Sequence, residues 1–268
     1  MSQRSVHISA ISNWLHRLTI VLATVAATAA TPASAAPYAF EPLGEGRVTA
    51  VIDARNFRLE DGRDVRLAGI EAAFPEKASR QMQALAASVA GRDVRLDGED
   101  DTPDRYGRQA AFVWRLPDET LVQQELLAKG EAVVSADVSD KDCAATLLAA
   151  EAAGRDAKRG IWADPAVIKN TESSGDILAG IGRFMLVEGK VLSVRQAGAT
   201  TYLNFGRNWT RDFAVTMPRR ALANLAAAGL VPKSLENKRI RVRGFVEGRT
   251  GPRIEVLRAG QIELLGGN

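Results

Sequence analysis

The sequence predicts a mainly β protein with helices, of the α+β class, made of two small barrels, and three observations support this prediction. Residues 47–71 alternate apolar and polar side chains along two strands that meet at the turn Glu60-Asp61-Gly62. A helix opened by Pro75 and ended by Gly91 follows, with further strands and helices after it, an order typical of a small antiparallel barrel with helices at one side. Past Gly182 a second run of strands begins, interrupted by one helix.

The remaining elements of the first barrel are predicted from apolar periodicity and from the glycine that follows a helix. They are a strand through Val94 and Leu96, a strand from Ala110 to Trp114, a short helix from Leu121 to Lys129, a strand at Val133-Val134 and a long helix from Lys141 to Lys158.

The first 35 residues have the three parts of a cleavable export signal. Arg4 and Arg17 form its basic part, residues 18–30 its apolar part and Ala33-Ser34-Ala35 its cleavage site. The alternative is a membrane anchor, but the apolar run is shorter than the roughly 20 residues that cross a bilayer. We therefore expect a periplasmic or secreted protein that keeps no stable membrane span after cleavage.

Residue types missing from the mature chain restrict its chemistry. Both histidines, His7 and His16, precede residue 36, which excludes imidazole general bases, Ser-His triads and His-ligated zinc. The single cysteine, Cys143, cannot form an intramolecular disulfide and is expected to be a small buried apolar residue. Carboxylates, arginines, lysines, tyrosines and hydroxyls remain available for chemistry.

A polar run of small residues at 170–175 marks a domain boundary. We predict the export signal at residues 1–35, a first domain over residues 44–165, a linker over residues 166–182 and a second domain over residues 183–266.

The two parts of the mature chain differ in charge. Residues 36–182 hold 18 Lys and Arg against 26 Asp and Glu, whereas residues 183–268 hold 15 against 6. A basic second module of this kind could contact nucleic acid or another polyanion. The alternative is that the acidic and basic faces attract each other across a domain interface.

Five segments, in order and at matching spacing, resemble the thermonuclease (staphylococcal nuclease-like) family over roughly Gly44 to Ala163. They are VIDARNFRL, VRLAGIEA, DRYGRQAAFVW, LVQQELLAKGEA and AKRGIW. The resemblance implies a five-stranded OB barrel with three helices and a calcium-dependent phosphodiesterase that cleaves DNA and RNA. In such an enzyme carboxylates hold the cation, a glutamate activates water and two arginines neutralise the phosphate.

Three residues match the family's phosphate-binding positions. Arg66 in VRLAGI and Arg108 in DRYGR match the two arginines, and Tyr106 matches the tyrosine beside them. The alternative is that both arginines make structural ion pairs, because the loop over residues 97–104 supplies several carboxylates.

The metal position departs from the family pattern. The turn that carries two aspartates in the family reads Asp53-Ala54-Arg55-Asn56, so Arg55 stands at the place of a ligand, and the other ligand becomes Glu71. We hypothesise that the Arg55 guanidinium fills the metal cavity and pairs with Glu71 or Asp53. No cofactor is then expected; calcium would be the cofactor if the family activity were retained, with Asp53 and Glu71 as its ligands.

The general base is displaced as well. The family's Pro-Glu pair arrives two residues late at Pro75-Glu76, which puts Phe74 at the base position. Glu76 could reach the site if the loop bulged. Its alternative role is that of an acidic residue favourable to the start of a helix.

The second module resembles OB-fold nucleic-acid-binding domains, because a helix from Pro218 to Ala228 falls between its third and fourth strands. Strand alternation predicts that three arginines point to one side as a basic surface: Arg241, Arg243 and Arg253. Candidate stacking rings are Tyr202, Trp209 and Phe213. The alternative places Phe205 and Phe213 in the core and the arginines on a solvated strand face.

The sequence thus predicts an exported thermonuclease-family protein, catalytically weakened or inactive, that binds nucleic acid or another polyanion. Two alternatives remain open: an active metal-dependent endonuclease cleaving DNA or RNA, and an envelope scaffold that docks proteins.

Overall fold

This computed structural model describes residues 40–208 and 210–266, which contain five α-helices and sixteen strands. The elements of the first barrel are β1 Glu41–Val51, β2 Asn56–Leu59, β3 Asp64–Leu67, β4 Ile70–Glu71, α1 Ala78–Val89, β5 Asp93–Gly98, β6 Arg108–Arg115, β7 Thr120–Leu121, α2 Val122–Ala128, β8 Val133–Val134 and α3 Lys141–Asp156. Those that follow are β9 Ile168–Asn170, α4 Ser174–Leu178, β10 Phe184–Lys190, β11 Ser193–Ala197, β12 Thr200–Asn204, β13 Ala214–Pro218, α5 Arg219–Ala227, β14 Arg239–Gly248, β15 Pro252–Glu255 and β16 Ile262–Leu265.

Five strands close the first barrel, and the predicted α+β class is confirmed. β1, β2 and β3 form an antiparallel meander, β3 runs parallel to β6, and β5 lies between β6 and β1. Alternation along β2 and β3 buries Phe57, Leu59, Val65 and Leu67 in the barrel core. The turn between these strands is possible because Gly62 adopts a φ of 89°.

The alternation predicted along β1 ends at a bulge. The register with β2 shifts between Val48 and Ala50, so Val48 is buried whereas Ile52, beyond the end of β1, is exposed. Val51 packs against the barrel core instead. A β-bulge inserts one residue and reverses the faces that follow it, which the apolar pattern alone does not reveal.

Three helices accompany the first barrel, as the resemblance implies. A 3-10 turn at Pro75–Lys77 precedes α1, so the α-helix begins three residues later than predicted. The carboxylate of Asp140 caps α3 by accepting the N–H groups of Asp142 and Cys143. Cys143 is fully buried, as predicted, and this burial raises the pKa of its thiol to about 12.

The second group of strands repeats the connectivity of the first barrel. β11, β12 and β13 are antiparallel neighbours, β13 runs parallel to β15, and β14 lies between β15 and β10. β10 and β11 lie at the two ends of this strand order. Only Val191 and Leu192 separate them along the chain, so the two strands are nearly continuous. The helix α5 falls between β13 and β14, at the position of α1 in the first barrel.

The segment predicted as a linker, residues 166–182, contains ordered elements. Its strand β9 pairs in parallel with β10, and its helix α4 buries Ile177 against the second core. The described residues together form one compact unit. The predicted export signal lies outside the described residues. In the part of the chain that is described, no helix has the length and apolar character needed to cross a bilayer.

Candidate functional site

The turn between β1 and β2 is organised by the carboxylate of Asp53. One of its oxygens accepts the backbone N–H groups of Arg55 and Asn56, both at 2.8 Å, and the other accepts the side-chain amide of Asn56 at 2.7 Å. These three hydrogen bonds keep the carboxylate of Asp53 engaged within its own turn.

Arg55 lies against Glu71, as one form of the hypothesis states. The Arg55 guanidinium forms an ion pair with the Glu71 carboxylate and donates to the backbone oxygen of Ile70 at 2.8 Å. Arg55 is only 9% exposed, so the pair is shielded from most solvent. A positive charge therefore neutralises the carboxylate that a divalent cation would need.

The residues present do not fit a calcium site. Calcium takes six to eight oxygen ligands, whereas Asp53 already accepts three N–H groups and Glu71 already holds a guanidinium. Among the described residues, no group of three or more His, Cys, Asp and Glu side chains could hold a metal ion.

Arg66 and Arg108 lie on adjacent strands, on the same side of the sheet. β3 and β6 are parallel, with Asp64 opposite Arg108 and Arg66 two residues further along. Arg108 donates twice to one carboxylate oxygen of Asp104, at 2.7 and 2.9 Å. Arg66 reaches the same oxygen only at 3.9 Å, and about a third of its side chain is exposed. Arg108 is therefore held in place, whereas Arg66 is held loosely.

The surroundings of Arg66 lower its pKa. Burial is the largest cause and the nearby cations of Arg55 and Arg108 lower the pKa further, although the carboxylates of Glu71 and Asp137 oppose them. By contrast, the hydrogen bond to Asp104 raises the pKa of Arg108. An anion placed beside Arg66 would relieve the repulsion among these guanidiniums.

Asp104 is the acceptor that orients Arg108, and its titration reports this contact. Hydrogen bonds from the Arg108 side chain and from backbone N–H groups lower the pKa of Asp104 from 3.8 to about 2. The contribution of the Asp104 contacts to the stability of the folded protein is therefore complete above about pH 4 and is lost as the pH falls from about 4 to about 2. We expect a carboxyl-carbon NMR titration of Asp104 to have its midpoint near 2.

The matched variants for this titration are Arg108→Gln and Arg195→Gln. The first should raise the Asp104 midpoint towards 3.8, and the second, on an exposed strand of the other barrel, should leave it unchanged. An Asp104 midpoint that stays the same in Arg108→Gln would contradict the described contact.

Tyr106 presents an exposed ring beside two cations. Its residue exposure is 65%, and the guanidiniums of Arg105 and Arg108 lie 4.7 and 4.9 Å from the ring centroid. Its phenol oxygen accepts a hydrogen bond from Arg105 at 2.7 Å. Such an arrangement places an aromatic surface next to the candidate anion position.

Glu76 and Phe74 face the second barrel. Phe74 packs against a hydrophobic cluster that includes Trp162 and Phe184. Glu76 is exposed on the 3-10 turn and, with Phe74, lines a cavity of about 160 Å³. Within the described residues it makes no ion pair with Arg66, so the structure does not bring it together with the two arginines.

Arg243 is buried, contrary to the prediction that it points to a basic surface. Its guanidinium donates to the two carboxylate oxygens of Glu151 on α3 at 2.8 and 2.9 Å, and to the backbone oxygen of Val134 at 3.1 Å. Glu263 is a further partner. Burial opposes the charged form, but the two carboxylates outweigh it and raise the pKa of Arg243. The guanidinium is not accessible to a nucleic-acid strand.

Arg241 is likewise buried and paired, with Glu188 at 2.7 Å and Glu263 at 3.0 Å. Strand alternation places Arg241 and Arg243 on one face of β14. On that face α3 and β8 of the first barrel cover Arg243, whereas the partners of Arg241 lie on β10 and β16. These residues form what we call the interdomain ion network: Glu151, Arg155, Glu188, Arg241, Arg243 and Glu263.

The other site residues predicted for the second module differ in how deeply they are buried. Arg253 is half-buried on β15 and pairs with Glu247 at 3.2 Å, and Tyr202 is half-buried on β12. Phe213 is 1% exposed and belongs to the second core, so its alternative role as a core residue is confirmed. Trp209 lies outside the described residues.

The sequence analysis did not predict Glu151 as the partner of Arg243, although the spacing of residues along α3 indicates a buried charge. Cys143, Leu147 and Glu151 follow each other at i, i+4 spacing on the buried face of the helix. A carboxylate at the end of an apolar stripe indicates a buried cation, because an unpaired charge there would be costly.

The interdomain ion network reaches the candidate site through two short strands. Val134, which bonds Arg243, pairs with Ile70 across β8 and β4. The backbone oxygen of Ile70 in turn accepts from Arg55. The second barrel therefore supports the strand that carries Glu71.

Residues 58–164 match the family model described as Staphylococcal nuclease homologue. The match runs from β2 to the end of the 3-10 turn after α3 and contains Arg66, Tyr106 and Arg108. This part of the chain is a staphylococcal nuclease-like domain, which confirms the resemblance over that range. A search of curated proteins found no match to the chain.

Proposed function

We propose that this protein is an exported relative of nucleases that binds nucleic-acid phosphates at Arg66 and Arg108 and lacks calcium-dependent cleavage. The observation that carries the proposal is the ion pair of Arg55 with Glu71 beside two arginines of the nuclease-like domain. Arg66 and Arg108 supply positive charge, and the Arg55 guanidinium takes the position at which the resemblance implies a metal cation.

Arg66 supports phosphate binding because its charge is only partly neutralised. Its distance of 3.9 Å from Asp104 exceeds that of a hydrogen bond, so its N–H groups are available to an incoming phosphate. Arg108 is oriented by Asp104, and the exposed ring of Tyr106 lies beside it. Two guanidiniums and one ring suit a phosphodiester with its attached nucleoside.

The second barrel supports binding of a longer polyanion. Arg195 on β11 is exposed and lies opposite Tyr202, and the loop between β12 and β13 carries the exposed residues Arg207 and Arg211. These four residues replace Arg241 and Arg243 as the proposed contact surface of the second module, with Arg253 at its border. Binding through such cations should weaken steeply as salt increases.

Arg55 supports the absence of calcium chemistry. One guanidinium carries a single positive charge and cannot act as the Lewis acid that polarises a phosphate and lowers the pKa of water. Loss of that contribution costs several kcal/mol of transition-state stabilisation in metal-dependent hydrolysis.

Plasmid digestion in calcium tests the proposal. We expect no cleavage and no stoichiometric calcium heat from the unmodified protein, since Arg55 neutralises Glu71. Arg55→Asp should gain measurable calcium binding by calorimetry, because it adds a carboxylate next to Asp53 and Glu71. The matched control Arg249→Asp makes the same change at an exposed position of the second barrel and should gain nothing.

Cleavage by the unmodified protein that a chelator abolishes would reject the proposal and establish the active endonuclease. If instead fluorescence anisotropy detected no oligonucleotide binding even at low salt, the phosphate-binding part would be wrong. A scaffold that docks proteins would then be the better explanation.

A further inference from the structure

A cleft of about 690 Å³ lies between the two barrels. One wall is the start of α3 and the residues before it, the other is α5, and the floor is the segment from Leu257 to Ile262. Its volume lies within the range of small-molecule sites, which occur preferentially where domains meet. It shares no residue with the site formed by Arg66 and Arg108.

The charged residues of this cleft all have the same sign. Lys141, Arg220 and Arg258 line it, and the described residues in its walls include no aspartate or glutamate. The cleft therefore favours an anion over a neutral or cationic ligand.

Two of the three cations make only weak ion pairs, and the third makes no ion pair within the described chain. Arg220 lies 3.7 Å from Glu255, and Lys141 lies 3.3 Å from its neighbour Asp142, both in exposed pairs. Arg258 is half-buried and makes no ion pair among the described residues; its side chain lies at the start of the 3-10 turn Ala259–Gln261 and contacts the backbone of that turn. No carboxylate in the described chain neutralises its charge.

The rest of the lining is mostly apolar. It includes Ala144, Leu148 and Ala221 from the two helices and Leu257 and Ile262 from the floor. The cleft therefore combines an apolar surface with cations, which matches a ligand that has an apolar body and an anionic head.

The walls are held in place by contacts that need no ligand. The 3-10 turn Ala259–Gln261 packs on α3 so closely that a methyl group at Gly260 would lie 3.2 Å from the Cβ of Ala144. Further along α3, Glu151 pairs with Arg243 of the second barrel. Because α3 belongs to one barrel and the turn to the other, the cleft is fixed by the domain interface.

We propose that this cleft binds a small amphipathic anion, with its head group at Arg220 and Arg258 and its hydrocarbon chain along α3. A medium-chain carboxylate and the head and chain of an anionic lipid share this chemistry. This site is independent of the proposed nucleic-acid function, so either can fail without the other.

Isothermal titration with three twelve-carbon amphiphiles, each below its critical micelle concentration, tests the proposal. We expect saturable one-to-one binding of dodecanoate, and at least tenfold weaker binding of dodecyl maltoside and of dodecyltrimethylammonium. Equal affinity for all three would overturn the proposal, because it would indicate apolar adsorption without recognition of charge.

Variants locate the binding. The double change Arg220→Gln and Arg258→Gln should weaken dodecanoate binding at least tenfold, whereas the control Arg249→Gln, exposed and outside the cleft, should not change it. Ala145→Trp should abolish binding by filling the cleft, and since Ala145 is exposed the fold should tolerate it, as circular dichroism would verify. Unchanged affinity in both cleft variants would overturn the proposal.

Cosedimentation with phosphatidylglycerol vesicles distinguishes the source of the anion. Vesicle binding that is lost in the same cleft variants assigns the anion to a lipid. Dodecanoate binding without vesicle binding assigns it to a free carboxylate.

Discussion

Replacing Glu151 with alanine should lower the free energy of unfolding by about 3–5 kcal/mol, since it leaves the charge of Arg243 buried and incompletely paired. Glu151 and Arg243 are both fully buried, and two hydrogen bonds of 2.8 and 2.9 Å join them. Glu263 would remain as one partner, which places the expected loss towards the lower end. Urea unfolding followed by circular dichroism measures the change.

The control is the exposed ion pair of Arg47 and Asp93, at 3.3 Å. Asp93→Ala should cost less than about 1 kcal/mol, because solvent screens exposed pairs. The combined change Glu151→Leu and Arg243→Met should recover much of the lost stability, since it removes both charges and retains apolar volume. An effect of Glu151→Ala no larger than that of Asp93→Ala would show that the pair does not hold the barrels together.

The double change Arg66→Gln and Arg108→Gln should remove most oligonucleotide binding to the first barrel. Hydrogen bonds to charged groups contribute about 1.5–3 kcal/mol each, which corresponds to roughly 10- to 150-fold in affinity for each arginine. Arg66→Gln alone should have the larger single effect, because Asp104 already neutralises Arg108. Fluorescence anisotropy with a labelled single strand measures the affinity.

A salt series identifies the cause of that loss. Each phosphate contact removed should reduce the slope of log affinity against log salt by about one. Arg249→Gln, exposed on the second barrel, removes a charge outside the site and is the matched control. If the double variant bound as tightly as the unmodified protein, the arginines would be structural and the phosphate site would lie elsewhere.

Much of the first barrel could be predicted because its signals are local. Apolar alternation and the turn at Gly62 defined β2 and β3, and the resemblance of the segments VRLAGI and DRYGR to family motifs made Arg66, Tyr106 and Arg108 candidate phosphate-binding residues. The bulge in β1 could not be predicted, since one inserted residue reverses the faces without changing the composition of the strand.

The residues of the candidate site could be proposed from the sequence, whereas most of their contacts could not. The sequence shows Arg55 where the resemblance implies a metal ligand, whereas the pairing of Arg55 with Glu71 rather than with Asp53 depends on the turn. Asp53 is engaged by backbone N–H groups of that turn, whereas the Glu71 carboxylate and the backbone oxygen of Ile70 accept the guanidinium.

The sequence by itself determined the fold class and the nuclease-like motifs of this protein, and it places Arg55 where the resemblance implies a metal ligand. Only the tertiary structure decided which charges face solvent. Alternation along β14 correctly places Arg241 and Arg243 on one face, but a strand carries no information about what covers that face. Here α3 of the other barrel covers it and supplies Glu151, so an apparent basic surface becomes a buried network, with 92 residues of sequence separating its central pair.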